Sequence, residues 1–355
     1  MVRILSRNKI LGVTFSFLAV ALIIIGIFHP LYVYGQREKI QVALTHPTLY
    51  SLVKILGGDY VDVVNIIPPG VDPHEYEPPV DVIKRIGSSD IIYIDALHHL
   101  PVSDRIYSLY PDKTVVLLNE LIARGWVPDK LIGTDSENLH EFLLDKKAML
   151  MAINIVGETL ANIAGRKGYS EAELYIKSNT DSAKRIFEEA YNKARSFVAL
   201  SGVNSVALYS PVPYYLVKSL GINISIILTP DPEVEPHPQE LQRLSLVGAK
   251  CLVISSDAEH IDSVRLETSI KSLGIKVADL GILSYENPWS LPFLPLLTAI
   301  LISRCILNAD FAAQAVTEYR GDLSMLPNIL LGAVIGLLIG IILTTIYRGG
   351  KRRSY

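Results

Sequence analysis

A chain of 355 residues with a formal net charge of −3 has room for two lobes of ordinary size, and its scattered lysines and arginines form no basic stripe of the kind nucleic acid requires. Half of the chain is apolar and its mean hydropathy is +0.33, high for a purely soluble protein. The two cysteines, Cys251 and Cys305, lie in the apolar contexts AKCLVI and ISRCIL, where buried free thiols are expected, with a disulfide as the alternative that an extracellular setting permits.

The apolar excess sits at the two ends. Ile10–Phe28 is uncharged and follows Arg3, Arg7 and Lys9; Ile329–Ile346 is uncharged and precedes Arg348, Lys351, Arg352 and Arg353. Each approaches the ~20 residues that cross a bilayer. The first (residues 1–35) reads as a signal peptide or a retained anchor, with Val33 and Gly35 offering a cleavage site. It carries no cysteine, so a bacterial-type lipid anchor is not expected. The second (residues 327–348) reads as a permanent anchor, with Gly332, Gly336 and Gly340 on one helix face. The basic outer flanks place both ends in the cytoplasm, the tail at 349–355 included, and the intervening chain outside.

Between the ends, strands alternate with helices. Ile40–Leu44 reads as a strand, Thr48–Leu56 as a helix entered through Pro47 and ended by Gly57-Gly58, and Val61–Ile67 as a second strand. Pro68–Pro79, PPGVDPHEYEPP, breaks regular structure and holds His74 on a stiff loop at a strand end, ready to present an imidazole. A helix over Val80–Ile86 and apolar strands at Ile91–Ile94 and Val115–Leu118 follow. His140 lies in SENLHEFLLD, just ahead of a helical run over Lys146–Ile163. Tyr169–Leu200 has few breakers and helical spacing of apolar residues, and at about 1.5 Å per residue it spans on the order of 45 Å.

A second set begins with strand Ser205–Tyr209, helix Tyr214–Leu220 and strand Ile222–Leu228. Glu235-Pro236-His237-Pro238 precedes helix Gln239–Leu246, and strand Cys251–Ile254, helix Ser263–Leu273, strand Lys276–Leu280 and helix Pro292–Leu307 complete it. Asn308–Leu326 is a polar connector. The alternation predicts an α/β fold with parallel sheets in two lobes, residues 36–168 and 202–308, joined by the long helix at 169–201. In such sheets ligands sit beyond the carboxyl ends of the strands.

From Lys39 to about Ser290 the chain resembles the zinc- and manganese-binding solute-binding proteins of ABC importers (ZnuA/TroA-like). The likeness rests on VALTHPTLYSLVKILGGDYVDVVNIIPPGVDPHEYEPPVDVIKRIGSSDIIYID, on the histidine with Phe142, Leu143 and Asp145 after it, and on Tyr175 and Asn179 of YIKSN. It implies one divalent ion between the lobes, held by four side chains, and a long helix that permits only small rocking. His74 and His140 match the two first-lobe ligands. For the last ligand the likeness offers Asp279, or in another register Gly281 within Leu280–Leu283. The third position falls on Ser210, a poor zinc ligand. His237, water, or nothing could take its place.

Other groups rank lower. His98 and His99 in ALHHL read as a surface turn, with metal transfer as the alternative. His46 follows the first strand and points toward the cleft edge. Glu75 and Glu77 read as solvated groups, and His29 and His260 carry no signal. No His-rich acidic loop is present. The resemblance implies a membrane-tethered receptor that delivers zinc or manganese to an ABC permease, not an enzyme. A degenerate partner of a membrane complex and a metal-dependent hydrolase stand as alternatives, the latter without an HExxH-type base.

Overall fold

The computed structural model describes residues 39–307, apart from 69, 70, 72, 233, 256–265, 267, 268, 271 and 282–287. The terminal apolar segments, the connector, His29 and His260, the expected helix at Ser263–Leu273 and the alternative ligand register on Leu280–Leu283 lie wholly or partly outside those residues.

The first lobe alternates as the sequence pattern requires. Strand β1 (Ile40–Leu44) leads to helix α1 (Pro47–Gly57), then β2 (Val61–Asn65), α2 (Val80–Gly87), β3 (Ile91–Ile94), α3 (Pro101–Leu109), β4 (Thr114–Val116) and α4 (Leu117–Ala123). All strand pairs are parallel, in the order β2-β1-β3-β4. The run Val115–Leu118, expected as one strand, splits: Leu117 and Leu118 open α4. Four apolar residues suit either structure, and Leu121 continues the buried face at helical spacing.

Helix α5 (Lys146–Arg166) packs beside α6 (Ser170–Ser201), 32 residues that end at Gly202 with φ of 70°. The helices approach closely at Gly157, where an added Cβ would stand 2.1 Å from Thr180 Oγ1. At the other end of α1, Asn179 Nδ2 donates to the carbonyls of Ile55 and Leu56, and the ring of Tyr175 stacks at 5.1 Å on Tyr60. Gly58, at φ 53°, leaves room for the Tyr175 hydroxyl.

The second lobe repeats the arrangement. Strand β5 (Ser205–Leu208), α7 (Tyr214–Ser219), β6 (Asn223–Ile227), α8 (Pro238–Leu246), β7 (Cys251–Ile254) and β8 (Lys276–Asp279) form a parallel sheet in the order β6-β5-β7-β8. A 3-10 turn (Pro288–Phe293) runs beside α1, and α9 (Leu294–Ile306) packs on α6 and β8.

Strand alternation sorts the core. Val42 and Leu44 of β1, Tyr93 of β3, Leu208 of β5 and Val253 of β7 face one continuous cluster that also takes in α5 and α6. Ala43, Ile92 and Ile94 face α2 and α3 on the other side of the first sheet. Ala207, Leu252 and Ile254 do the same in the second lobe. Both α5 and Trp289–Ile306 are long and apolar enough to cross a membrane by length and composition, and more than half of α5 and half of Trp289–Ile306 is buried within the protein.

The cysteine expectation is corrected. Cys251 of β7 and Cys305 of α9 form a disulfide, with 5.7 Å between Cα atoms. Packing α9 against β7 and β8 brings two residues 54 apart in sequence into bonding distance.

Candidate metal centre

The first sheet reverses its strand order between β1 and β3, the switch point beyond whose carboxyl ends such sheets form a ligand crevice. Thr45 and His46 follow β1, and Asp95 and His99 follow β3. The loop after β2 brings in His74, and the segment ahead of α5 brings in His140.

His74, His99 and His140 converge. One nitrogen from each lies within 4.8 Å of the others. Ring centroids are 5.5 Å apart for His74–His99, 5.5 Å for His99–His140 and 6.4 Å for His74–His140. Tetrahedral zinc with Zn–N bonds near 2.05 Å sets ligand nitrogens about 3.4 Å apart, so nitrogens within 4.8 Å are near the spacing that ligands of one ion take.

The hydrogen bonds fix which nitrogen each ring offers. Asn138 Oδ1 accepts the backbone N–H of His140 at 3.1 Å and lies 3.3 Å from His140 Nδ1. That oxygen can only accept, so Nδ1 carries the proton and Nε2 keeps the lone pair. Asp95 Oδ2 lies 2.9 Å from His99 Nδ1, which assigns His99 in the same way. Among the described residues, His99 Nε2 is buried and has no hydrogen-bond partner. Burial foremost, then the neighbouring His99 and His74, push the pKa of His140 down to about 4, so its ring is neutral and available over the physiological range. The carboxylates of Glu141 and Asp231 act in the opposite direction.

Asp95 is fully buried. Its Oδ1 accepts from Ser103 Oγ at 2.9 Å and Thr45 Oγ1 at 3.3 Å. Burial would raise its pKa, but the hydrogen bond and charge of His99, with His46 and the Ala96 N–H, outweigh that and hold it low. His46 is differently engaged. Its Nδ1 accepts from Thr48 N and caps α1, and its Nε2 meets buried Glu141 at 3.2 Å. Both ring nitrogens are therefore committed away from the cluster. Burial opposes charging His46, yet Glu141 prevails and its pKa is raised.

Two non-glycine residues among those described have positive φ, His98 at 59° and Glu141 at 45°. They are the neighbours of His99 and His140. Left-handed backbone at such residues costs on the order of 1–3 kcal/mol and clusters at functional sites. The turn at His98 leaves its own ring in solvent, paired with Asp104, while His99 enters the crevice.

The residues expected from the sequence separate into two sets. His74 and His140 come together. Asp279 lies exposed at the end of β8, His237 is exposed ahead of α8 with its N–H bonded to Glu240, and Ser210 is buried with its Oγ accepting from Val212 N. None of these belongs to the histidine cluster among the described residues. The surface-turn reading of His99 is corrected: its side chain is only 16% exposed and faces His74 and His140. The adjacent Asp95, four residues before it at a strand end, was the available signal.

The sequence model of the ZnuA family, zinc-uptake complex component A, periplasmic, matches residues 42–249, more than half of the chain. The chain belongs to the ZnuA family. This is a family of extracytoplasmic metal-transport components, not an enzyme class. The match ends before β7, so Asp279 lies beyond it. The chain is 24% identical over 215 residues to the manganese ABC transporter substrate-binding lipoprotein PsaA of Streptococcus anginosus, covering 58% of this chain and 68% of that one. It is 22% identical over 254 residues to the iron ABC transporter substrate-binding lipoprotein MtsA of Streptococcus pyogenes serotype M1, covering 68% and 79%. Among solved structures, the periplasmic zinc binding protein TroA from Treponema pallidum superposes with a TM-score of 0.60 at 15% identity, over 76% of this chain and 100% of that one. The AdcAII protein of Streptococcus pneumoniae gives 0.59 at 21%, over 76% and 99%. These structural likenesses carry the fold: two parallel sheets joined through a long helix.

Proposed function

We propose that this ZnuA-family chain is a membrane-tethered extracytoplasmic receptor that binds one divalent metal ion, zinc or manganese, and hands it unchanged to an ABC import permease. The observation that carries the reading is the convergence of His74 and His140, from separate loops, on one crevice with ring centroids 6.4 Å apart. Their neutral imidazoles would hold the ion. Asp279 would approach from the second lobe as that lobe rocks on α6, while His237 and Ser210 stand farther from the role. Lobes at residues 36–168 and 202–308 would flank the cleft. The apolar segment at 327–348, with its tail in the cytoplasm, would keep the receptor beside its permease and raise the effective concentration there.

Metal titration of the full-length chain in detergent, stripped of metal beforehand, tests this. One-to-one binding of zinc or manganese is expected, weakened more than about a hundredfold in His74→Ala, beyond the ~10–100-fold typical of losing an outer partner. Failure of the native chain to bind either ion removes the receptor reading and favours a metal-free partner of the membrane complex.

A further inference from the structure

We infer that His99 is a third metal ligand, oriented by Asp95, and that the first lobe therefore presents an all-imidazole half-site that favours zinc over manganese. The inference rests on the receptor reading above and concerns how the same ion is held. The ligand set implied by the resemblance contains no group from this turn and places its third member at Ser210, in the second lobe.

Three observations carry it. Among the described residues, His99 Nε2 is buried and unpartnered, and it is part of the cluster in which each histidine offers a nitrogen within 4.8 Å of the others. A buried imidazole nitrogen without a partner is costly unless something fills the place in front of it. On the far side of the ring, Asp95 Oδ2 lies 2.9 Å from Nδ1 and fixes the tautomer that points the Nε2 lone pair into the crevice. Asp95 is itself held by Thr45, from the loop after β1, and by Ser103 of α3, so the carboxylate that orients the ring is fixed from two sides. A carboxylate behind a ligating imidazole raises its basicity and is the usual outer partner of a metal-bound histidine. Finally, the left-handed turn at His98 separates two adjacent histidines, sending one to solvent and the other inward.

Asp95 also answers a charge question. Among the described residues its ionisable hydrogen-bond partner is His99, with no lysine or arginine paired to it. Hydrogen bonds from Thr45 and Ser103 and the contact with His99 hold the buried carboxylate. A cation on the other face of the His99 ring would polarise its Nδ1–H toward Asp95 and add a positive charge that no lysine or arginine among the described residues supplies. Three neutral nitrogens suit zinc, whereas manganese draws more from carboxylate oxygens.

The test uses the full-length chain in detergent with zinc, manganese and, as a spectroscopic probe, cobalt(II). His99→Ala is expected to lower zinc affinity more than Asp95→Asn, whose loss should be about 10–100-fold. The zinc-to-manganese affinity ratio should fall by at least about tenfold in His99→Ala, and the visible bands of the cobalt form should shift and weaken. His99→Gln, which keeps a donor for Asp95 and lacks the ring, gives the same reading should His99→Ala fold poorly by thermal melting. If His74→Ala loses metal while His99→Ala and His99→Gln keep native zinc affinity, selectivity and cobalt spectrum, this inference is overturned and the receptor reading stands. If the native chain binds no metal, both fall together.

Discussion

The histidines divide by what their second ring nitrogen touches. His46 has one nitrogen on a backbone N–H and the other on Glu141, which makes it a structural cap. His140 and His99 each have one nitrogen tied to Asn138 or Asp95, leaving the other for the crevice. The environment that readies His140 also makes the metal-free protein sensitive to acid. With its pKa near 4 in the folded chain and an ordinary value of 6.5 in the unfolded one, the unfolded state takes up the proton first. The stability tied to the neutral ring is full above pH 6.5 and is lost as pH falls toward 4, at up to about 1.4 kcal/mol per pH unit. Urea unfolding of the metal-free chain between pH 7 and 4 should show this limb, and His140→Gln should flatten it. Equal slopes in the two proteins would refute the assignment.

At the level of elements, the two sheets are built alike and differ in what closes them. The first is sealed by α5 and by the contacts of Tyr175 and Asn179 with the end of α1. The second has the disulfide from β7 to α9. A cross-link between residues 54 apart restricts the unfolded chain, and its loss should cost on the order of 2–4 kcal/mol. Cys251→Ser with Cys305→Ser should lower the midpoint of thermal unfolding, and a reductant should do the same to the native chain. An unchanged midpoint in both would mean that packing of α9 alone sets the stability of this lobe.

On the scale of the whole molecule, the histidine crevice belongs to the first lobe but is braced by the second. Tyr215 of α7 donates its hydroxyl to the carbonyl of Asn138 and accepts from the N–H of Asp129, at 2.8 and 2.9 Å. The loop that orients His140 is thus tied across the lobe boundary. Removing the hydroxyl with Tyr215→Phe leaves two backbone groups to find other partners, at a cost of about 1–3 kcal/mol. We expect lower stability to denaturant together with weaker metal binding, because Asn138 also sets the tautomer of His140. A loss of stability with metal affinity unchanged would show that the brace does not reach the site.

The sequence by itself determined the alternation of strands and helices, the long helix after Gly168, and the placement of His74 on a stiff loop at a strand end, while His140 was singled out through the family resemblance. The first three follow from local signals: period-two and helical spacing of apolar residues, and proline and glycine breaks that act within a few residues. The tertiary structure alone decided the rest. In sequence, ALHHL reads as a surface turn, with Asp95 four residues before His99 the one hint against it. His99 gained its place because β3 pairs with β1, which buries Asp95 beside Thr45 and turns the neighbouring ring inward. Cys251 and Cys305 looked like separate buried thiols until α9 crossed back over β7. VVLL was divided between strand and helix by what each half packs against. In all three cases the deciding contact joins residues whose proximity is created by folding, and no spacing along the chain encodes it.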